Sequence, residues 1–167
     1  GMHVIIFEMP GHGASKPVAK WTAGHAAVTF NEFFESLESH FNMDLVSRIF
    51  LHGHSMGGFV LLKFNKFADS NDQYDKISGY ILESPLTCYS FIFEETIKQL
   101  FIPRLLINQY WKRLRVHFNT VNPKLSPVEN FAEVDIPLWG SINKDLLLIQ
   151  AEHDDVLGRR HYDRLVK

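Results

Sequence analysis

Apolar positions along the chain fall into short unbroken runs separated by helical stripes. His3-Val4-Ile5-Ile6-Phe7 is apolar and rich in β-branched residues, the pattern of a strand buried on both faces. Ser47 to His52 repeats it, as do Ile77 to Leu82 and Asp145 to Ala151, the last built around Leu146-Leu147-Leu148-Ile149. Phe30, Phe33, Phe34, Leu37 and Phe41 recur at helical spacing, with Glu32, Glu35 and Glu38 on the other side. That stripe predicts an amphipathic helix ended by Asn42 and Asp44. Met56 to Ala68 predicts a second, mostly apolar helix, and Arg159 opens a last one. Strands alternating with helices predict parallel βαβ units in an open α/β sheet. Loops able to carry chemistry then gather at the carboxyl ends of the strands.

Residues 85–136 break this rhythm. They contain Pro85, Pro103, Pro123 and Pro127 and no clear strand. Ile107, Trp111, Leu114 and Phe118 form a helical stripe, with Arg104, Lys112 and Arg115 off it. The reading is a helical cap set between two core segments, 1–84 and 137–167. From Thr96 to Val128 stand Lys98, Arg104, Lys112, Arg113, Arg115 and Lys124, with no acid and with Tyr110 and Trp111 interleaved. Such a helix either keeps its basic face in water or makes a weak contact with an anionic membrane surface.

Composition narrows the class. The chain has 167 residues, 46% hydrophobic and 22% charged, as expected of one packed domain rather than a disordered chain. A net charge of −2 provides no basic field to collect nucleic acid, so no nucleic-acid partner is expected. Cys88 is the single cysteine, which excludes a disulfide framework and a Cys-only metal site. No apolar run reaches the ~18 residues of a membrane span, and no charged-then-apolar leader opens the chain. Gly1-Met2 looks like the scar of a cleaved tag. The expected location is the cytoplasm.

The strongest chemical signal is Gly53-His54-Ser55-Met56-Gly57, followed by Gly58, between an expected strand and an expected helix. This is the context of a sharp turn that lifts a serine hydroxyl clear of the sheet. Gly53 and Gly57 keep Cβ atoms out of the crossing. The helix N-terminus behind Ser55 favours negative charge, and the Met56 amide can donate to a developing oxyanion. A second segment, Glu8-Met9-Pro10-Gly11-His12-Gly13-Ala14-Ser15, follows the first run, but its spacing does not match a phosphate loop. Asp154, just past the last run, is a carboxylate able to orient a histidine that activates Ser55, with Asp155 as its competitor.

Together these segments resemble an α/β-hydrolase-fold serine hydrolase. Phe7 to Ser15 resembles the family's D-x-[PR]-G-x-G-x-S loop, with Glu8 in place of the usual Asp. Gly53-His54-Ser55-Met56-Gly57-Gly58 resembles the nucleophile elbow in the spelling found in monoacylglycerol lipases, lysophospholipases and related esterases. Leu147 to Asp154 resembles the strand and loop of the triad acid, with Ala151 where glycine is usual. Glu83-Ser84-Pro85 resembles the sheet edge where the cap begins, and Leu138 to Lys144 looks like an insertion. The resemblance implies a three-layer α/β-hydrolase-type sheet. It implies Ser55 as nucleophile, Asp154 as triad acid and Met56 as oxyanion donor. The substrate would be a small-molecule acyl ester, including lipid-like esters, with no cofactor.

The resemblance also implies strands before His3 and a histidine well beyond the acid, whereas thirteen residues follow Asp154. The chain is therefore expected to be truncated at both ends. The alternative function is a catalytically incomplete fragment or pseudo-enzyme that only binds. A cut sheet also predicts a homo-oligomer through its exposed edge. Among the nine histidines, His12 is the candidate substitute base. His52, His54 and His153 are expected in structural or loop roles, and His161 is expected to face away. His52-Gly53-His54 provides too few ligands for zinc, so no metal is expected.

Overall fold

The computed structural model describes residues 1–70, 72–119, 125, 127–154 and 157–167. Pro123, Lys124 and Asp155, singled out above, lie outside the described residues.

Thr22 starts helix α1 (Ala23–Glu35), its side-chain oxygen accepting from the His25 amide at 3.1 Å. A break at Ser36 leads into the short α2 (Leu37–His40). The chain then alternates β1 (Ile49–His54), α3 (Met56–Phe64) and β2 (Ile77–Glu83). Two helices, α4 (Tyr89–Gln99) and α5 (Arg104–Asn119), precede β3 (Asp145–Ile149) and α6 (Arg159–Leu165). The three strands form one parallel sheet in the order β1-β2-β3. Parallel strands with helices between them make the open α/β arrangement that the sequence pattern predicts.

The ladder register explains which face became the core. Leu51 aligns with Tyr80 and Leu146, and Gly53 with Leu82 and Leu148. This face meets α3, whose Phe59, Leu62 and Phe64 are fully buried. α1 packs on α3 in turn, the Phe30 and Phe34 rings lying 4.8 and 5.4 Å from the Phe64 ring. The opposite face carries Phe50, His52 and His54 on β1 and Leu147 and Ile149 on β3, all exposed. His52 and His54, expected above in structural roles, instead point into solvent, because period-two alternation puts them on the face that α3 does not cover. The 3.6 Å approach of His52 to Glu83 is an exposed contact of modest value.

The run His3–Phe7 is not a strand. A strand needs a neighbour for its backbone groups, and no described strand pairs with this segment. Val4 and Ile6 are exposed, and only Phe7 packs, against Phe30 at 5.2 Å and Phe33 at 5.4 Å. The described sheet thus has three strands where the sequence pattern predicts four. Boundaries shift as well. β1 begins at Ile49 and runs through His54, and the α-helix after Ser55 stops at Phe64, passing into 3-10 turns over Asn65–Ser70.

The excursion between β2 and β3 is closed at its base. Cys88 and Asp135 form an antiparallel bridge, and the Ile136 amide donates to the Thr87 carbonyl at 3.1 Å. α5 lies inward through Trp111, whose ring stacks on Phe131 at 3.8 Å. Downstream, Trp139 stacks on Phe59 at 4.4 Å and donates its indole N–H to the Phe59 carbonyl at 2.8 Å. A Cβ at Gly140 would overlap the Leu62 carbonyl. The start of the segment read as an insertion is thus docked on α3. No helix among the described residues is long and apolar enough to cross a membrane.

Candidate active site

The chain passes from β1 to α3 through a single residue, Ser55, at φ 49° and ψ −113°. A residue bearing a Cβ rarely adopts this conformation. The surroundings over-determine it. The Ser55 amide donates to the Glu83 carbonyl at 2.9 Å, and its carbonyl accepts from the Leu86 amide at 3.1 Å and the Phe59 amide at 3.4 Å. Both backbone groups of the turn are thereby tied to β2 and the loop after it. Space requires glycine at Gly53 and Gly58 but not, as expected, at Gly57, where a Cβ would meet only Met9 Cε at 3.9 Å. A Cβ on Gly53 would lie 2.7 Å from the Gly57 carbonyl carbon and the Gly58 nitrogen, and one on Gly58 would lie 2.7 Å from the Pro85 Cβ. The sequence motif is therefore a strained strand-to-helix turn, packed backbone against backbone.

Helix polarity completes the local chemistry. The bond from the Phe59 amide to Ser55 is the first one that α3 makes, so the amides of Met56, Gly57 and Gly58 precede the hydrogen-bonded ladder. They gather partial positive charge beside the serine. A second positive-φ residue, Ser84 at φ 40°, ends β2, and its amide donates to the Ile149 carbonyl at 2.8 Å. Leu86 was not singled out in the sequence, and Ser84 only as part of the edge where the cap begins. Ser84-Pro85 directly after an apolar run is the signal that marks them.

Asp154 follows β3, at the same sheet end as Ser55. Two strand spacings, about 10 Å, separate the chains that carry them, enough to admit an imidazole. Its Oδ1 accepts from the Leu157 amide at 2.9 Å and its Oδ2 from Gln150 Nε2 at 3.0 Å. These two donors fix the carboxylate within its loop.

The histidines divide by their partners. His161, expected to face away, is 1% exposed. Its Nδ1 accepts from the Thr87 amide at 3.1 Å and lies 3.0 Å from the Thr87 hydroxyl, and its ring packs edge-on against Phe91 at 5.1 Å. Burial, aided by the neighbouring Arg160, holds its pKa down to about 4 against an opposing pull from Asp154. It is a neutral clamp between α6 and the loop after β2.

His12 lies in a loop shaped by Glu8, whose carboxylate accepts from the Ala14 amide at 2.8 Å, with Gly11 and Gly13 at positive φ. Its Nδ1 is 3.2 Å from the Pro10 carbonyl, and its ring is edge-on to Trp21 at 5.7 Å. The carbonyl can only accept, which assigns the proton to Nδ1 and leaves Nε2 as the basic nitrogen. The loop reaches the turn through Met9, whose Cε would sit 3.9 Å from a Cβ on Gly57. The structure therefore brings Ser55, Met56 and Asp154 to one end of the sheet and the His12 loop against α3. Among the described residues, no histidine hydrogen-bonds the Ser55 hydroxyl. Nor, among them, do three His, Cys, Asp or Glu side chains cluster as a metal site would need.

Comparison with known proteins bears on the family. The sequence pattern of the family described as serine aminopeptidase, S33, matches residues 1–130. No curated protein matches the chain. A solved structure of a hydrolase from Pseudomonas aeruginosa PA01 is similar at 18% identity and a TM-score of 0.48, over 95% of this chain and 64% of that one. The chain thus spans 64% of the length of that hydrolase. Because the family pattern covers most of the sequence, including the turn at Ser55, the chain belongs to the serine aminopeptidase S33 family of α/β-hydrolases.

Proposed function

We propose that Ser55 is the nucleophile of a serine hydrolase that cleaves carboxylic esters, including lipid-like ones, through an acyl-enzyme. The observation that carries this reading is the backbone of Ser55, held at φ 49° with its hydroxyl ahead of a helix N-terminus. In the reaction, Ser55 Oγ bonds to the ester carbonyl carbon and gives its proton to a base. The carbonyl oxygen becomes an oxyanion, for which the Met56 amide is the donor. The intermediate collapses, the ester C–O bond breaks and the proton leaves with the alcohol. Water then repeats the sequence on the acyl group. His12 is the local candidate base, through Nε2, and Asp154 is the candidate triad acid.

The absence of a histidine on the Ser55 hydroxyl among the described residues favours a second reading, a hydrolase-fold protein that binds without turnover. One experiment separates the two. The purified chain is treated with a fluorophosphonate and its intact mass read, with Ser55→Ala as control. One adduct, lost in Ser55→Ala and weakened in His12→Ala, supports the nucleophile. A folded chain that takes up no adduct leaves the binding reading.

A further inference from the structure

The corner between α4 and α5 carries a feature the ester chemistry does not use. The Phe101 amide donates to the Lys98 carbonyl at 3.1 Å and the Ile102 amide to the Ile97 carbonyl at 3.0 Å. These paired bonds are the ordinary glycine-type helix stop, whose left-handed position normally belongs to glycine. Here Phe101 occupies it, at φ 51°. The ring gains no packing in return, because Phe101 is 89% exposed. Beside it Leu100 is 61% and Leu105 90% exposed. A strained backbone that presents three apolar side chains to water has no account in the stability of the domain.

Charge surrounds this apolar knuckle with one sign. Lys98 and Arg104 flank it in sequence, and Lys112 and Arg113 are exposed further along α5. Lys112 is seven residues beyond Leu105, about 10 Å along the same outward stripe. No Asp or Glu occurs from Thr96 to Val128. The acids one turn back, Glu94 and Glu95, are engaged by Arg160 at 2.7 Å and by Lys98 at 3.6 Å. α5 itself is seated by Tyr110 and Trp111 on Phe93 and Phe131, so the knuckle stands on a fixed platform.

We infer that the Leu100–Leu105 corner docks on an anionic phospholipid surface, with Phe101, Leu100 and Leu105 entering the headgroup boundary and the surrounding cations meeting lipid phosphates. An apolar tip ringed by Lys and Arg complements that surface on both counts. It does not complement itself. A two-fold contact between copies would bring Lys98 and Arg104 against their own equivalents. The inference stands independently of whether Ser55 turns over an ester.

The test is co-sedimentation of the full chain, as Ser55→Ala, with phosphatidylglycerol or phosphatidylcholine vesicles. Binding is expected to phosphatidylglycerol alone and to weaken as salt is raised. Phe101→Gly suits the backbone of the corner and so keeps the fold while removing the ring. It should lower the partition coefficient about tenfold, and so should Lys98→Gln with Arg104→Gln together. Phe50→Lys, on the exposed sheet face, should leave binding unchanged. Equal binding by the Phe101→Gly variant, or no binding to phosphatidylglycerol, overturns the inference. So does light scattering that shows a dimer dissociated by Phe101→Gly, which would make the corner a self-interface.

Discussion

Replacing Ser55 with glycine should make the domain more stable while removing its proposed nucleophile. The serine sits at φ 49° and ψ −113°, where a Cβ collides with its own backbone but a glycine does not. Residues held in such regions cost about 1–3 kcal/mol. Glycine brings back an entropic cost of about 0.5–1 kcal/mol from the unfolded chain. The net expectation is a gain of about 0.5–2 kcal/mol, or roughly 1–8 °C in melting temperature for a chain of this length. Ser55→Ala is the control. It removes the same hydroxyl but keeps the Cβ and so the strain, and it should fall near the parent protein. Urea titrations of the three proteins, read by tryptophan fluorescence, measure the difference directly. If Ser55→Gly unfolds at or below the urea midpoint of Ser55→Ala, the turn is not strained and the argument for a stored conformation fails.

Two further expectations concern the frame of the site. Gly58→Ala would place a Cβ 2.7 Å from the Cβ of the buried Pro85, and should cost about 1–3 kcal/mol; an unchanged urea midpoint would refute the close contact. His161 has a folded pKa of about 4 against an ordinary 6.5, so below pH 6.5 the unfolded chain takes up a proton that the folded chain refuses. The clamp's contribution is complete above pH 6.5 and is lost as pH falls towards 4. Between pH 7 and pH 5 the protein should lose about 2 kcal/mol more than His161→Gln does, and parallel curves would contradict the assignment.

How far the sequence could be read depends on whether a signal was local. β1, β2 and β3 are built around short apolar runs, and the Ser55 turn is punctuated by Gly53 and Gly58, where a Cβ would clash. Such features carry their cause within a few residues. His3–Phe7 has the same composition as a strand, but composition reports only what could be buried. A strand forms when a neighbour accepts its backbone bonds, and that depends on residues elsewhere. His161 shows the limit from the other side. Its burial depends on Thr87, 74 positions away, and on no pattern near Arg159–Leu165. Trp139 likewise finds Phe59 across 80 positions, which is why its segment reads as an insertion. Phe101 was not legible, since a helix stopping before Ile102-Pro103 without a glycine does not by itself say that the left-handed stop is used.

The bonds around Ser55 also set how fast individual amide protons exchange with solvent. The amides of Ser55, Ser84 and Leu86 donate to Glu83, Ile149 and Ser55, so they should exchange only when the sheet itself opens. Met56 and Gly57, immediately beside them, precede the first bond of α3 and should exchange from the closed protein. Neighbouring protons would then differ by orders of magnitude in lifetime. The donors aimed at an incoming negative charge are available without any opening of the fold, and an anion that settles there should slow those protons and leave the lifetimes of Ser55, Ser84 and Leu86 unaltered.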